Sequence, residues 1–199
     1  VINVINYPTS KKQFSPRKIS SKNRGLSFEA DINSTNTFYL ENEKAIIHKK
    51  PTPIKPIKIS FKDGKKVISK AVFETPSTTD YNGLYRGRYI DFEAKETNSS
   101  TSFSLNNIHV HQIEHLTNVK KHGGIAFILI RFIKNEKTFL YPIEKFNEYI
   151  KSNSRKSIPF DELCLNAYLI KEGLHPRYDY LKVVEELYFK EEHHGSEES

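Results

Sequence analysis

Ser77-Thr78-Thr79-Asp80-Tyr81-Asn82-Gly83, followed shortly by Arg88-Tyr89-Ile90-Asp91-Phe92-Glu93-Ala94-Lys95, says most about how this chain folds. The second run reads as a β-strand, in which residues two apart point to the same face. Glu93 and Lys95 therefore project together, a carboxylate with an ammonium beside it. Asp80, delivered from a neighbouring turn or strand, can meet them. Hard divalent cations such as Mg2+ take oxygen ligands and keep several waters. An ion held by a carboxylate pair polarises a scissile phosphate and acidifies an attacking water, and a lysine aimed at the phosphorane stabilises the developing charge. Asp91 shares the strand face and competes with Glu93 on chemistry. Its place near the strand start makes it read as an exposed turn residue.

Working outward, Ile125-Ala-Phe-Ile-Leu-Ile130 is an apolar run without alternation, the mark of a central strand covered on both faces. Between the two strands the pattern predicts a helix over 108–121, with Asn106 or Asn107 capping its start and Lys120, Lys121 and Gly123 at its end. At 100° per residue, Ile108, Leu116 and Val119 fall within about 40° of Gln112, so Gln112 points inward. A buried amide needs partners. The carboxylate site on the adjacent strand is one, and capping a loop inside the core is the other. Further amphipathic helices are predicted over 27–41, 142–150 and 180–189, and a short strand over 45–48. The fold class is mixed α/β.

Asp63-Gly64 joins two β-rich runs, 51–61 and 67–73, and is a hairpin signal. The arms carry Lys55, Lys58, Lys62, Lys65, Lys66 and Lys70, which predicts a long basic projection. The whole chain is basic as well: 31 Lys and Arg against 24 Asp and Glu over 199 residues, a net charge of +7. Such a chain is attracted to nucleic acid or acidic surfaces. Around the carboxylates, Tyr81, Tyr85, Arg86, Arg88 and Tyr89 interleave base-stacking and phosphate-binding types; the bland reading of the tyrosines is strand packing.

The length suits one domain with a real core. Residues 1–22 hold five basic and no acidic side chains and read as a mobile basic arm. Residues 191–199 read as an acidic, disordered tail. The single Cys164 excludes an internal disulfide and a cysteine zinc set, and reads as a small core residue. With no apolar run of membrane-spanning length and no signal peptide, the expectation is a cytoplasmic, nucleoid-associated protein. His111-Gln-Ile-Glu-His115 matches the H-x-x-E-H spacing of inverted zinc peptidases, with Glu114 as base. That five-residue pattern arises readily by chance in a chain with 8 histidines.

The chain closely resembles the RecU family of Holliday junction resolvases. The resemblance rests on Asn23-Arg-Gly-Leu-Ser-Phe-Glu29, Ile47-His-Lys-Lys-Pro-Thr-Pro-Ile54, Pro76-Ser-Thr-Thr-Asp-Tyr-Asn-Gly83, Asp91-Phe-Glu-Ala-Lys-Glu-Thr97, His111-Gln-Ile-Glu-His115 and His122-Gly-Gly124, all in order. It implies a restriction-endonuclease-like core with a protruding stalk over about residues 51–75, inserted in a nuclease domain spanning 23–190. It implies a homodimer that cuts four-way DNA junctions symmetrically with Mg2+ or Mn2+, in company with a recombinase and a branch-migration motor. By the same resemblance Thr78, Asp80, Glu93 and Gln112 surround the metal and Lys95 stabilises the transition state. Glu29 is a secondary candidate for orienting water or metal. Lys55, Lys58, Lys62 and Lys66 then meet converging DNA backbones, and Phe73 stacks on unpaired bases. The other readings are a branched-DNA-binding protein without catalysis, and the zinc hydrolase built on His111, Glu114 and His115.

Overall fold

The structure, a computed structural model, describes residues 27–51, 53–73 and 78–189. The expected basic arm, the acidic tail and the Pro76-Ser77 part of the site motif lie outside the described residues.

Ser27 caps the first helix, α1 (Phe28–Glu41), its hydroxyl accepting the N–H of Ala30 at 3.3 Å. The strands β1 (Ile46–Lys49), β2 (Ile54–Lys62), β3 (Lys65–Phe73), β4 (Tyr81–Tyr85), β5 (Arg88–Thr97) and β6 (Ser102–Ser104) follow. A 3-10 turn at Leu105–Asn107 leads into α2 (Val110–Lys121). The helix starts two residues later than the sequence predicts. Ser104 caps the 3-10 turn instead, and Ile108 turns extended before His109 caps α2. Then come β7 (Ile125–Phe132), β8 (Lys137–Pro142), α3 (Ile143–Ser152), β9 (Ser157–Pro159), α4 (Phe160–Asn166), β10 (Tyr168–Ile170) and α5 (Tyr180–Tyr188).

Six strands form one mixed sheet in the order β1-β4-β5-β7-β8-β10. Only the β5–β7 pair is parallel, as the intervening α2 crossover requires. β7 is the predicted central strand, and Ile125 through Ile130 are all fully buried. On one face Ile90, Phe92, Ile125, Phe127 and Leu129 pack with α1 and α5. On the other, Ala126, Ile128 and Ile130 pack with α2, α3 and α4. An aromatic ladder ties the centre together: Tyr81 stacks on Phe92 at 4.9 Å and Phe92 on Phe127 at 4.8 Å, in register across β4, β5 and β7. Truncating a buried ring of this kind costs about 3–5 kcal/mol.

β2 and β3 pair only with each other, as a separate two-stranded sheet. Nearly every side chain on them is exposed, so the predicted basic hairpin stands away from the core. Strands of this length reach about 30 Å. Cys164 is exposed, correcting the core reading; on α4 it is Leu163 that turns inward. Among the described residues no helix is long and apolar enough to cross a membrane.

Candidate active site

Antiparallel register places Tyr81 opposite Phe92, which brings the residue before β4, Asp80, beside Glu93. The contact is made by backbone as well as side chain. The Asp80 N–H donates to Glu93 Oε2 at 3.0 Å, and Asp80 Oδ2 accepts the Ala94 N–H at 3.3 Å. Lys95, on the same strand face as Glu93, lies against Glu93 Oε1 as an ion pair and sits 3.8 Å from Asp80 Oδ2. The three groups that strand parity and the short gap predicted therefore meet at one point. They lie on the face shared with α2, opposite Ile128 and Ile130 of β7.

Glu93 is fully buried. Burial first and the Asp80 charge second push its carboxyl up to about 7, with Lys95 pulling the other way. Glu93 Oε1 is buried against the Lys95 ammonium. A buried carboxylate, a second carboxylate in contact and one lysine between them leave a deficit of positive charge. Oxygen donors with that deficit fit a hard divalent cation.

Gln112 is buried on α2, as its helix phase predicted. Its Oε1 accepts the His109 N–H at 2.9 Å, the capping reading of the sequence. An amide oxygen has a second lone pair free, but no hydrogen bond joins Gln112 to Asp80 or Glu93. Thr78 is exposed and its hydroxyl accepts from Lys50 Nζ at 3.1 Å. Glu29 stands on the α1 side of the sheet, paired with Lys49 at 2.5 Å, and is not among the groups in contact at the site.

Asp91 departs most from its reading. It is not an exposed turn residue but a fully buried one. Lys50 Nζ at 2.7 Å, the Tyr89 hydroxyl at 2.8 Å and His115 Nε2 at 2.9 Å meet its Oδ2, and the Thr79 hydroxyl donates to Oδ1. His115 is thus turned to Asp91, while His111 stacks on His109. Among the described residues no three His, Cys, Asp or Glu side chains gather as a metal site. The H-x-x-E-H zinc reading therefore has no third ligand.

Tyr81 is corrected too: its ring is fully buried and its hydroxyl donates to Asn33 Oδ1 at 3.0 Å, so it cannot stack on bases. Arg86 and Arg88 flank the β4–β5 turn, some 15 Å along the strands from Asp80. Arg86 pairs with Glu185 at 2.6 Å, and Arg88 donates to the Tyr188 and Gly123 carbonyls. Both hold the end of α5 to the sheet. Lys55, Lys58, Lys62 and Lys66 are exposed on the hairpin, and Phe73 is 79% exposed at its base. Lys50 is the site residue the sequence reading missed. Its signal is the alternation that puts Lys50 with His48, on the face opposite Ile47.

Two carboxylates and a lysine gathered on one face of a mixed sheet have the make-up of a metal-dependent phosphodiesterase. The family described as Recombination protein U matches residues 23–186. The chain belongs to that RecU family. It is 51% identical over 172 residues to the Holliday junction resolvase RecU of Staphylococcus aureus strain JH9, covering 84% of this chain and 83% of that protein. The same-named protein of strain MRSA252 is 50% identical over the same length. The solved structure of Hjc, a Holliday junction resolvase from Archaeoglobus fulgidus, is similar with a TM-score of 0.40 at 11% identity, over 69% of this chain and 94% of that one. That likeness is too low to carry weight beside the sequence relatives.

Proposed function

We propose that this chain is a structure-selective endodeoxyribonuclease that resolves four-way DNA junctions, built on a restriction-endonuclease-like core and acting as a homodimer. The reading is supported by membership of the RecU family and by one observation above others, the meeting of Asp80, Glu93 and Lys95 at a single point.

Asp80 and Glu93 hold the divalent cation, Mg2+ or Mn2+, with Thr78 and the free lone pair of Gln112 at its margin. The bound ion supplies Lewis-acid polarisation of the scissile phosphate and a more acidic water. Glu93 must be ionised to serve, which in the metal-free protein occurs only as pH rises through about 7. Lys95 offsets the charge of the two carboxylates, and with a cation held by them its ammonium would be free to stabilise the negative charge that grows on the phosphate. Buried surroundings strengthen that interaction.

The hairpin supplies junction selectivity. Lys58 lies directly opposite Lys70, and Lys62 opposite Lys65. Like charges paired across a ribbon destabilise it, and among the described residues no salt bridge offsets them. Converging DNA backbones at the open centre of a junction are a suitable counterion.

Cleavage of a synthetic mobile four-way junction beside a linear duplex, with and without Mg2+, tests the reading. The wild-type chain is expected to nick the junction alone and only with metal. Lys95→Ala and Asp80→Asn should abolish nicking while junction binding persists. A wild-type protein that binds junctions and never nicks them under Mg2+ or Mn2+ would be a DNA-binding protein that had lost its chemistry.

A further inference from the structure

Asp91 and Lys50 belong to no assigned role, yet they form the most heavily bonded polar cluster beside the site. Lys50 Nζ lies 2.7 Å from Asp91 Oδ2, 2.6 Å from the Thr79 hydroxyl and 3.1 Å from the Thr78 hydroxyl. Its backbone N–H also donates to the Asp80 carbonyl at 2.8 Å. Thr79 is fully buried, and its hydroxyl passes its own proton to Asp91 Oδ1. The segment 78–80 is therefore tied to β5 through the Thr79 side chain and to the residue after β1 through the Asp80 carbonyl.

This matters because of what flanks Thr79. Thr78 and Asp80 are the two groups that this segment offers a metal, and both are bonded directly to the residue that is pinned. Pinning Thr79 to Asp91 leaves the next residue, Asp80, little room to move from Glu93, which its own N–H already meets at 3.0 Å. Asp91 is not free to bind metal itself, because both its oxygens are already occupied by protein donors. We propose that Asp91, Thr79 and Lys50 are positioning residues. Asp91 anchors the Thr79 hydroxyl, Lys50 neutralises that anchor, and together they fix Asp80 against Glu93 so that the cation meets a preformed pair. Partners that orient metal ligands commonly matter about 10–100-fold in metal affinity. The inference rests on the metal-site reading above.

The test is direct binding of Mn2+ to the full chain without DNA, read from the paramagnetic resonance signal of the free ion. Junction binding in EDTA is measured beside it. Thr79→Val removes the hydroxyl at constant shape and is expected to weaken Mn2+ about tenfold or more, whereas Thr79→Ser keeps it and should stay within about twofold of wild type. Asp91→Asn should behave as Thr79→Val does. Junction binding in EDTA should hold within about twofold in every variant, since phosphate contacts rather than metal carry it. If Asp91→Asn fails to fold, the valine and serine pair decides. Wild-type Mn2+ affinity in Thr79→Val, or equal loss in Thr79→Val and Thr79→Ser, overturns the proposal. Should the wild type bind no Mn2+, or Asp80→Asn bind it undiminished, the metal-site reading itself falls; an Asp80→Asn loss with an unaffected Thr79→Val sinks the positioning role alone.

Discussion

A single carboxyl shows the tension between folding and chemistry in this site. Glu93 ionises near 4.5 ordinarily and near 7 in the folded chain, through burial first and the Asp80 charge second. Between those values the native state keeps a proton that the unfolded chain releases. The stability this gives is complete below about 4.5 and is lost as pH rises through 7, a linkage on the order of 2–3 kcal/mol. Glu93→Gln, which cannot ionise, should therefore melt higher than wild type at pH 8 in EDTA, and the gap should close towards pH 5. Equal melting temperatures at pH 8 would show that Glu93 is not strained by its charge. On the proposed metal reading, the same proton competes with the cation. At subsaturating Mg2+, nicking by the wild type should climb through pH 7, and raising Mg2+ should move the midpoint lower. A midpoint indifferent to metal would assign that titration to another group.

At the scale of elements, the hairpin separates binding from chemistry. Lys58→Glu and Lys62→Glu convert like-charge pairs with Lys70 and Lys65 into opposite-charge ones, worth about 0.2–1 kcal/mol each to the ribbon. The double variant should melt no lower than wild type and yet bind four-way junctions at least about tenfold more weakly, with linear duplex less affected. Equal loss on both DNAs would remove the stalk from junction selection. This hairpin was legible because Asp-Gly and its flanking runs are local signals, as were the Ser27-capped α1 and the unbroken β7. The strands β6, β9 and β10 are only three residues each, too short to show a period. Asp91 was misread for a different reason. A charge near a strand start looks solvated until its partners are known, and here its two basic partners come from 41 and 24 residues away in the chain. The parity of Asp80, Glu93 and Lys95 is local and survived; the network that aims them is not.

For the whole molecule, the number of sites decides how many strands one chain can cut. Asp80, Glu93 and Lys95 form one cluster per chain, beside one hairpin. A four-way junction has two scissile positions related by a near two-fold axis, so a single chain can nick one arm but cannot resolve the crossover in one encounter. A symmetric pair of chains matches that axis and brings two clusters to opposed strands. Mixed dimers of wild type and Lys95→Ala, made with two different affinity tags and purified through both, should then nick one strand of a junction and release few resolved products. The wild-type homodimer should yield paired nicks within the lifetime of one complex, read on a supercoiled cruciform plasmid that becomes linear rather than open-circular. Linear product from the mixed dimer at the wild-type rate would mean that one site serves both strands in turn. The pairing of two chains would then answer to DNA shape rather than to the number of cuts.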